Sequence, residues 1–338
     1  MYIDRYNLLP AFDAGRELDL DIDVYPADPV ILNLLMEIDP KISKETDKLT
    51  LLVNTESFTN ISDYAKILSK RKNVILLVNE TIEPAGIDSM FYPVWQFATS
   101  SVNSNVQINS KISKPYLADV LLGGATPNRK LMFDALKTEG LLENCLVNFF
   151  KRQTDWYDAN DSMVNYRSDA LEELDIKQIN KAFDNNKWFA MISMTKLPGQ
   201  VNFLAQRIAS KVYENSYITV ITETETGKNL NYLTEKTFKP LIGKRPFLLY
   251  CNKGSLAHVK SLGFKTFSNW IDESYDNLSG HQRIIAIVKE LKRFNNLNKD
   301  RILLEMKEVF AHNFALCNDH QYWTKKLLDK CLPRMEHR

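Results

Sequence analysis

Residues 217–275 read YITVITETETGKNLNYLTEKTFKPLIGKRPFLLYCNKGSLAHVKSLGFKTFSNWIDESY. The stretch opens on an apolar run at 217–221, the pattern of a strand buried on both faces. The run ends in an acidic loop with Glu223 and Glu225, and a polar turn follows at 227–231. Thr234 is a good N-cap residue, with Glu235 and Lys236 in the first turn of the helix it starts. Pro240 cannot bond to the Lys236 carbonyl, so this helix is short or kinked. Gly243 suits the C′ position, and Lys244 and Arg245 suit the negative end of the helix dipole. A second apolar strand follows at 246–250. Strand, helix and strand in this order form a unit of a parallel α/β sheet.

The same alternation extends outward. Apolar runs at 49–53, 74–78, 117–122 and 188–192 read as further strands, several of them apolar at successive positions. Helical patterns lie at 63–70, 130–139, 200–214 and 255–262. The fold class expected is therefore α/β with a mostly parallel sheet. Residues 18–24 alternate strictly, with Asp19, Asp21 and Asp23 on one side and apolar residues on the other, as in a half-exposed strand. Those letters also spell DxD, a metal-ligating pattern of some sugar transferases. Such a site belongs at a strand end in the middle of a fold, so the solvated strand face is preferred. Residues 151–187 are polar and loop-rich, which suggests a junction near 180. The tail at 301–332 is amphipathic and Lys-rich, consistent with one or two closing helices.

Composition bounds the function. A length of 338 residues suits two domains. The 43 Lys and Arg against 42 Asp and Glu argue against histone-like or tail-driven nucleic-acid binding and against charge-driven disorder. No apolar run is long enough to span a bilayer, and residues 1–15 are too polar for a secretory signal. Cys145, Cys251, Cys317 and Cys331 are widely spaced, as expected of reduced thiols in a cytoplasmic protein. The five His residues form no HExxH or equivalent, which argues against a zinc enzyme.

The helix at 234 offers chemistry suited to an anion. A helix N-terminus carries unpaired N–H groups and partial positive charge, and Lys236 adds a full charge. Glu235 could accept two hydroxyl hydrogen bonds from a ribose. Tyr232 could pack beside a base or bond to a phosphate, and Arg207 could add a bidentate phosphate contact. Asn128 and Arg129 follow the 117–122 strand and read either as a contact to an anionic acceptor or donor phosphate or as an ordinary helix start. On composition alone Glu235 and Lys236 read first as exposed first-turn charges, whose removal would cost under about 0.5 kcal/mol.

The string from Tyr232 to Lys236, with Pro240, Leu241, Gly243 and Pro246, resembles the donor-site signature of the α1,3-fucosyltransferases, Tyr-x-Thr-Glu-Lys and then Gly-x-x-Pro. The longer form TEKTFKP…PF…GFKTF…DESYD is similar to glycosyltransferase-like proteins often carried by bacteriophages and large viruses. The resemblance covers roughly 217–277, with a weaker echo at Asn128, Arg129 and the following helix. It implies a GT-B architecture: two Rossmann-like domains facing across a cleft. The N-terminal domain (1–180) would take the acceptor and the C-terminal domain (181–310) the nucleotide sugar, and a helical tail (311–338) would cross back. Glu235 would hold the donor ribose and Lys236 the diphosphate, with Tyr232, Thr234 and Glu225 completing the pocket. The family has an Asn after the residue matching Glu225; here it is Thr226, which leaves the nucleotide and sugar open.

The activity implied is inverting transfer of a sugar from a nucleoside diphosphate to an acceptor hydroxyl. Fixed cations stabilise the leaving diphosphate, and a carboxylate takes the hydroxyl proton. This design needs no metal and no cofactor beyond the nucleotide sugar. Glu56 and Glu80 follow the 49–53 and 74–78 strands and are candidate bases, or plain loop charges; Asp119, mid-strand, is a poorer choice. The acceptor implied is a glycan hydroxyl or a hydroxymethylated pyrimidine in phage DNA. DNA would need a basic groove, for which Lys70-Arg71-Lys72, Lys151-Arg152 and Lys325-Lys326 are sparse candidates. The alternative is a non-catalytic nucleotide-binding relic or a structural protein on the same fold. In either case the expected location is the cytoplasm of a bacterium or infected host cell.

Overall fold

The computed structural model describes residues 22–26, 49–54, 74–78, 89–103, 106–108, 113–123, 127–150, 163–166, 208–223 and 232–336. The chain divides into two compact units. One comprises residues 1–101, 194–202 and 318–338, the other 102–193 and 203–317.

The first unit holds a parallel sheet of β1 (Ile22–Pro26), β2 (Leu49–Asn54), β3 (Val74–Val78) and β4 (Ser89–Phe91), in that order. The runs expected at 49–53 and 74–78 are β2 and β3. Asp23 lies in β1, paired with Thr50; Asp19 and Asp21 lie outside the described residues. Helix α1 (Val94–Asn103) follows β4.

The second unit is a Rossmann-like α/β layer. Its parallel core consists of β5 (Tyr116–Gly123), β6 (Cys145–Phe150), β8 (Ser216–Thr222) and β9 (Phe247–Tyr250). The order in space is β6-β5-β8-β9, or 2-1-3-4 in chain order, with β7 (Met163–Tyr166) antiparallel on the β6 edge. Every residue of β8 and β9 is buried, as continuous apolar strands in a covered parallel sheet must be. The crossovers contain α2 (Pro127–Thr138) between β5 and β6, and α4 (Glu235–Ile242) between β8 and β9. They run in opposite directions along the sheet, so right-handed connections put the two helices on opposite faces. Before β8 lies the short α3 (Ser210–Asn215), and after β9 come α5 (Ser255–Ser261) and α6 (Gly280–Asn295).

The sheet corrects the boundary expected near 180. Asp119 of β5 pairs with Thr219 of β8, so one sheet carries residues from both sides of that position. Local periodicity reveals strands but not which distant strands pair. The polar stretch 151–187, read as a junction, also contains edge strand β7. The helix expected over 200–214 is not continuous, because residues 208–209 are non-helical and α3 starts at Ser210. The tail contains three helices rather than one or two: α7 (Lys299–Glu305), α8 (Lys307–Asn318) and α9 (His320–Glu336). The strand expected at 188–192 and the helix at 63–70 lie outside the described residues. No helix among the described residues is long and apolar enough to cross a membrane. Cys145, Cys251 and Cys317 are buried and form no disulfide.

Candidate functional site

The α2 and α4 crossovers diverge where β5 and β8 lie side by side. Their C-terminal ends therefore form the topological switch point at which open α/β sheets bind ligands. Three segments bring charge to this point: the end of β8, the first turn of α4 and the first turn of α2.

Glu223 follows β8 directly and is 1% exposed. Its Oε1 accepts the Thr234 N–H at 2.9 Å and the Thr237 hydroxyl at 2.6 Å, and its Oε2 accepts the Thr234 hydroxyl at 2.6 Å. Thr234 is the N-cap, as its sequence position suggests, with its side-chain oxygen facing the Lys236 N–H. The Thr237 N–H bonds to the Thr234 carbonyl at 3.1 Å. This corrects the expectation of an open, anion-accepting helix N-terminus. The strand-end carboxylate already complements the dipole, so the turn presents side chains rather than amides.

Glu235 is 7% exposed, not the solvated charge its position suggests. Lys236 Nζ lies 2.8 Å from Glu235 Oε1 and 3.1 Å from Thr234 Oγ1. Burial pushes the Glu235 carboxyl upward, but Lys236, Lys239 and hydrogen bonds outweigh it and leave the value below the ordinary one. Glu235 is thus an ionised carboxylate paired with Lys236. Arg129, in the first turn of α2, is 3% exposed. Burial lowers its pKa, opposed by the charges of Glu223 and then Glu235. The guanidinium therefore sits in the field of both carboxylates. Lys239, one turn beyond Glu235, is half-buried; burial lowers its pKa most, Lys236 adds to this, and Glu235, Asp119 and Glu223 oppose it. Among the described residues, Arg129, Lys236 and Lys239 thus lie in the field of Glu223 and Glu235.

Other elements hold this arrangement rigid. Cys251, just past β9, donates its thiol to the Tyr232 carbonyl, and burial and then Glu223 push that thiol up to about 11. Arg283 of α6, fully buried, donates to the Leu249 and Asn252 carbonyls and to the Asp276 carboxylate. Asp276 in turn accepts the Leu256 and Ala257 N–H groups at the start of α5. Glu273 accepts the Phe267 N–H at 2.7 Å and the Thr266 hydroxyl at 2.8 Å. The GFKTF and DESYD segments therefore act as a clasp over the end of β9, an internal role that sequence alone does not separate from binding. Deeper in the sheet, Arg245 pairs with Asp119 at 2.6 Å, and Ser216 and Thr219 also donate to that carboxylate.

The sequence-predicted residues distribute as follows. Arg129, Thr234, Glu235 and Lys236 come together, and Asn128 stands beside Arg129 in the first turn of α2. Tyr232 is 5% exposed, so its ring offers little face for a base to stack on. Glu56, Glu80, Arg207 and Glu225 lie outside the described residues. Sequence reasoning passes over Glu223 and Lys239. Spacing to Tyr232 selects Glu225, whereas the end of the buried β8 run points to Glu223. Among the described residues, no three His, Cys, Asp or Glu side chains converge as metal ligands. No protein-family model matches the chain, and no curated protein or solved structure gives a significant match.

Proposed function

We propose that the protein is a nucleotide-sugar-dependent glycosyltransferase whose donor sits where β5 and β8 end. The observation that carries this reading is the meeting of Arg129, Glu235 and Lys236 at the switch point of a parallel sheet. A nucleoside diphosphate sugar suits it: the ionised Glu235 accepts ribose hydroxyls, and Lys236 and Arg129 take phosphoryl oxygens. The Tyr232–Lys236 resemblance to fucosyltransferase-like enzymes supports the same assignment.

In this reading the cations stabilise the departing diphosphate as an acceptor hydroxyl attacks the anomeric carbon in line. The C–O bond to phosphate breaks as the new glycosidic bond forms, and the hydroxyl proton passes to a carboxylate. Glu56 and Glu80, which follow β2 and β3, are the proposed candidates for that base. The residues of the first unit would supply the acceptor side of a GT-B enzyme. The acceptor is a glycan hydroxyl or a hydroxymethylated pyrimidine in DNA, in the cytoplasm of a bacterium or infected cell.

The test is transfer of radiolabelled sugar from GDP-, UDP- and dTDP-sugars to glycan and to hydroxymethylated DNA. The reading expects label on one acceptor class and none with Glu235→Ala. Nucleotide binding without transfer to either class would favour a relic that kept the pocket and lost turnover.

A further inference from the structure

Thr234 is 3% exposed, and each of its polar groups is engaged. Its N–H and its hydroxyl both go to Glu223, at 2.9 and 2.6 Å, and its carbonyl accepts the Thr237 N–H. A carboxylate only accepts hydrogen bonds. The Glu223 oxygen therefore takes the Thr234 hydroxyl proton, and the hydroxyl oxygen is left to act as an acceptor. Two donors of Lys236 meet that oxygen: the ammonium at 3.1 Å and the backbone N–H at 3.4 Å. The same ammonium lies 2.8 Å from Glu235. The hydrogen bonds thus form a relay from Glu223 through Thr234 to Lys236. A lysine side chain has many rotamers, and holding it in one of them costs entropy. In this protein the Thr234 oxygen and the Glu235 carboxylate hold the ammonium before any ligand arrives.

We propose that Glu223 and Thr234 are positioning residues, which fix the Lys236 ammonium for the ligand and do not touch the ligand themselves. This rests on the nucleotide reading above. It moves Thr234 out of the ligand contacts in which the resemblance to the fucosyltransferases places it. The burial of both side chains agrees with an indirect role, since neither offers a surface for a ligand to meet. A pre-set lysine leaves less side-chain freedom to be lost on binding, so the relay acts on affinity through Lys236.

The experiment joins two measurements on the full chain: titration calorimetry with GDP and UDP, and the ¹⁵N ammonium resonance of Lys236 in the free protein, assigned by its loss in Lys236→Arg. Thr234→Val keeps the shape of the side chain and removes the hydroxyl. It should bind the diphosphate that wild type binds roughly three- to tenfold more weakly. The Lys236 ammonium resonance, present in wild type, should be lost to exchange with water while the protein stays folded. Thr234→Ser keeps the hydroxyl and should retain the resonance and an affinity within about twofold of wild type. Weaker binding by Thr234→Val with the Lys236 resonance unchanged would mean that Thr234 touches the ligand, and overturns the proposal. Unchanged affinity would make Thr234 a structural cap only, and also overturns it, with the nucleotide site left standing. Wild-type protein that binds neither diphosphate overturns the nucleotide reading, and the positioning role with it. Should Thr234→Val not fold, Glu223→Gln takes its place: the affinity and the resonance fall together, or the proposal fails.

Discussion

The Glu223 carboxylate holds Thr234 twice, through its N–H at 2.9 Å and its hydroxyl at 2.6 Å, and thereby joins the end of β8 to the start of α4. Eleven residues separate the two in sequence. Glu223→Ala removes three buried hydrogen bonds to a carboxylate and should cost roughly 3 kcal/mol. Glu223→Gln keeps one acceptor oxygen and should cost less. Urea denaturation of the two variants checks the order, and equal stability of Ala and wild type would contradict it.

Arg245 and Asp119 form a pair that is almost wholly buried. Arg245→Met should destabilise by about 3–5 kcal/mol, because it leaves a carboxylate buried without its counter-charge. Adding Asp119→Leu should recover part of the loss. A double mutant no better than Arg245→Met would show that Ser216 and Thr219, not the charge, dominate at this point.

Gly243 closes α4, but not in the left-handed conformation expected of a C′ glycine. Its φ is −74°, and Lys244 takes the positive φ of 53° instead. The Arg245 N–H bonds back to the Pro240 carbonyl at 3.1 Å, the Schellman arrangement with Lys244 at C′. The glycine is needed for space: a Cβ there would lie 2.5 Å from the Tyr213 ring. Gly243→Ala should therefore cost about 1–3 kcal/mol. In a Tyr213→Ala background most of this cost should disappear, leaving only the tight approach to the Lys239 carbonyl at 3.0 Å, which a double-mutant cycle measures.

Burial pushes the His258 imidazole down to about 4 from its ordinary 6.5. The unfolded chain then binds a proton that the folded chain refuses between these values. Stability should be full above about pH 6.5 and fall towards pH 4, by at most about 3 kcal/mol. His320 is also displaced downward by burial and adds in the same direction. Denaturation midpoints at pH 7.5 and pH 5 check this, and His258→Gln should flatten the slope.

Much of the α/β character was legible because strands covered on both faces carry mostly apolar residues at successive positions, as β9 does, and β8 is buried throughout. The helix start at Thr234 was legible too, from capping chemistry alone. The pairing of β5 with β8 was not, because residues about 100 apart leave no local signal. That hidden pairing moved the boundary and brought Arg129 to Glu223 and Glu235. Motif spacing points to Glu225, which lies outside the described residues, and passes over Glu223, whose hydrogen bonds join β8 to α4. Arg283 shows the converse limit. A charged side chain in an amphipathic helix reads as solvated, yet it is fully buried and bonded to carbonyls at the end of β9.

The proposed nucleoside diphosphate site lies where β5 and β8 end, at the switch point of the sheet. The most direct measurement is thermal unfolding of wild type and Lys236→Ala against UDP, GDP, dTDP, CDP and CMP. Lys236 is partly exposed and its ion pair modest, so the variant should fold with a loss under about 1 kcal/mol. One diphosphate at about 100 times its dissociation constant should stabilise wild type by roughly 2.7 kcal/mol and the variant far less. Equal midpoints with and without every nucleotide at millimolar concentration, in a wild-type protein that is folded, would contradict the account.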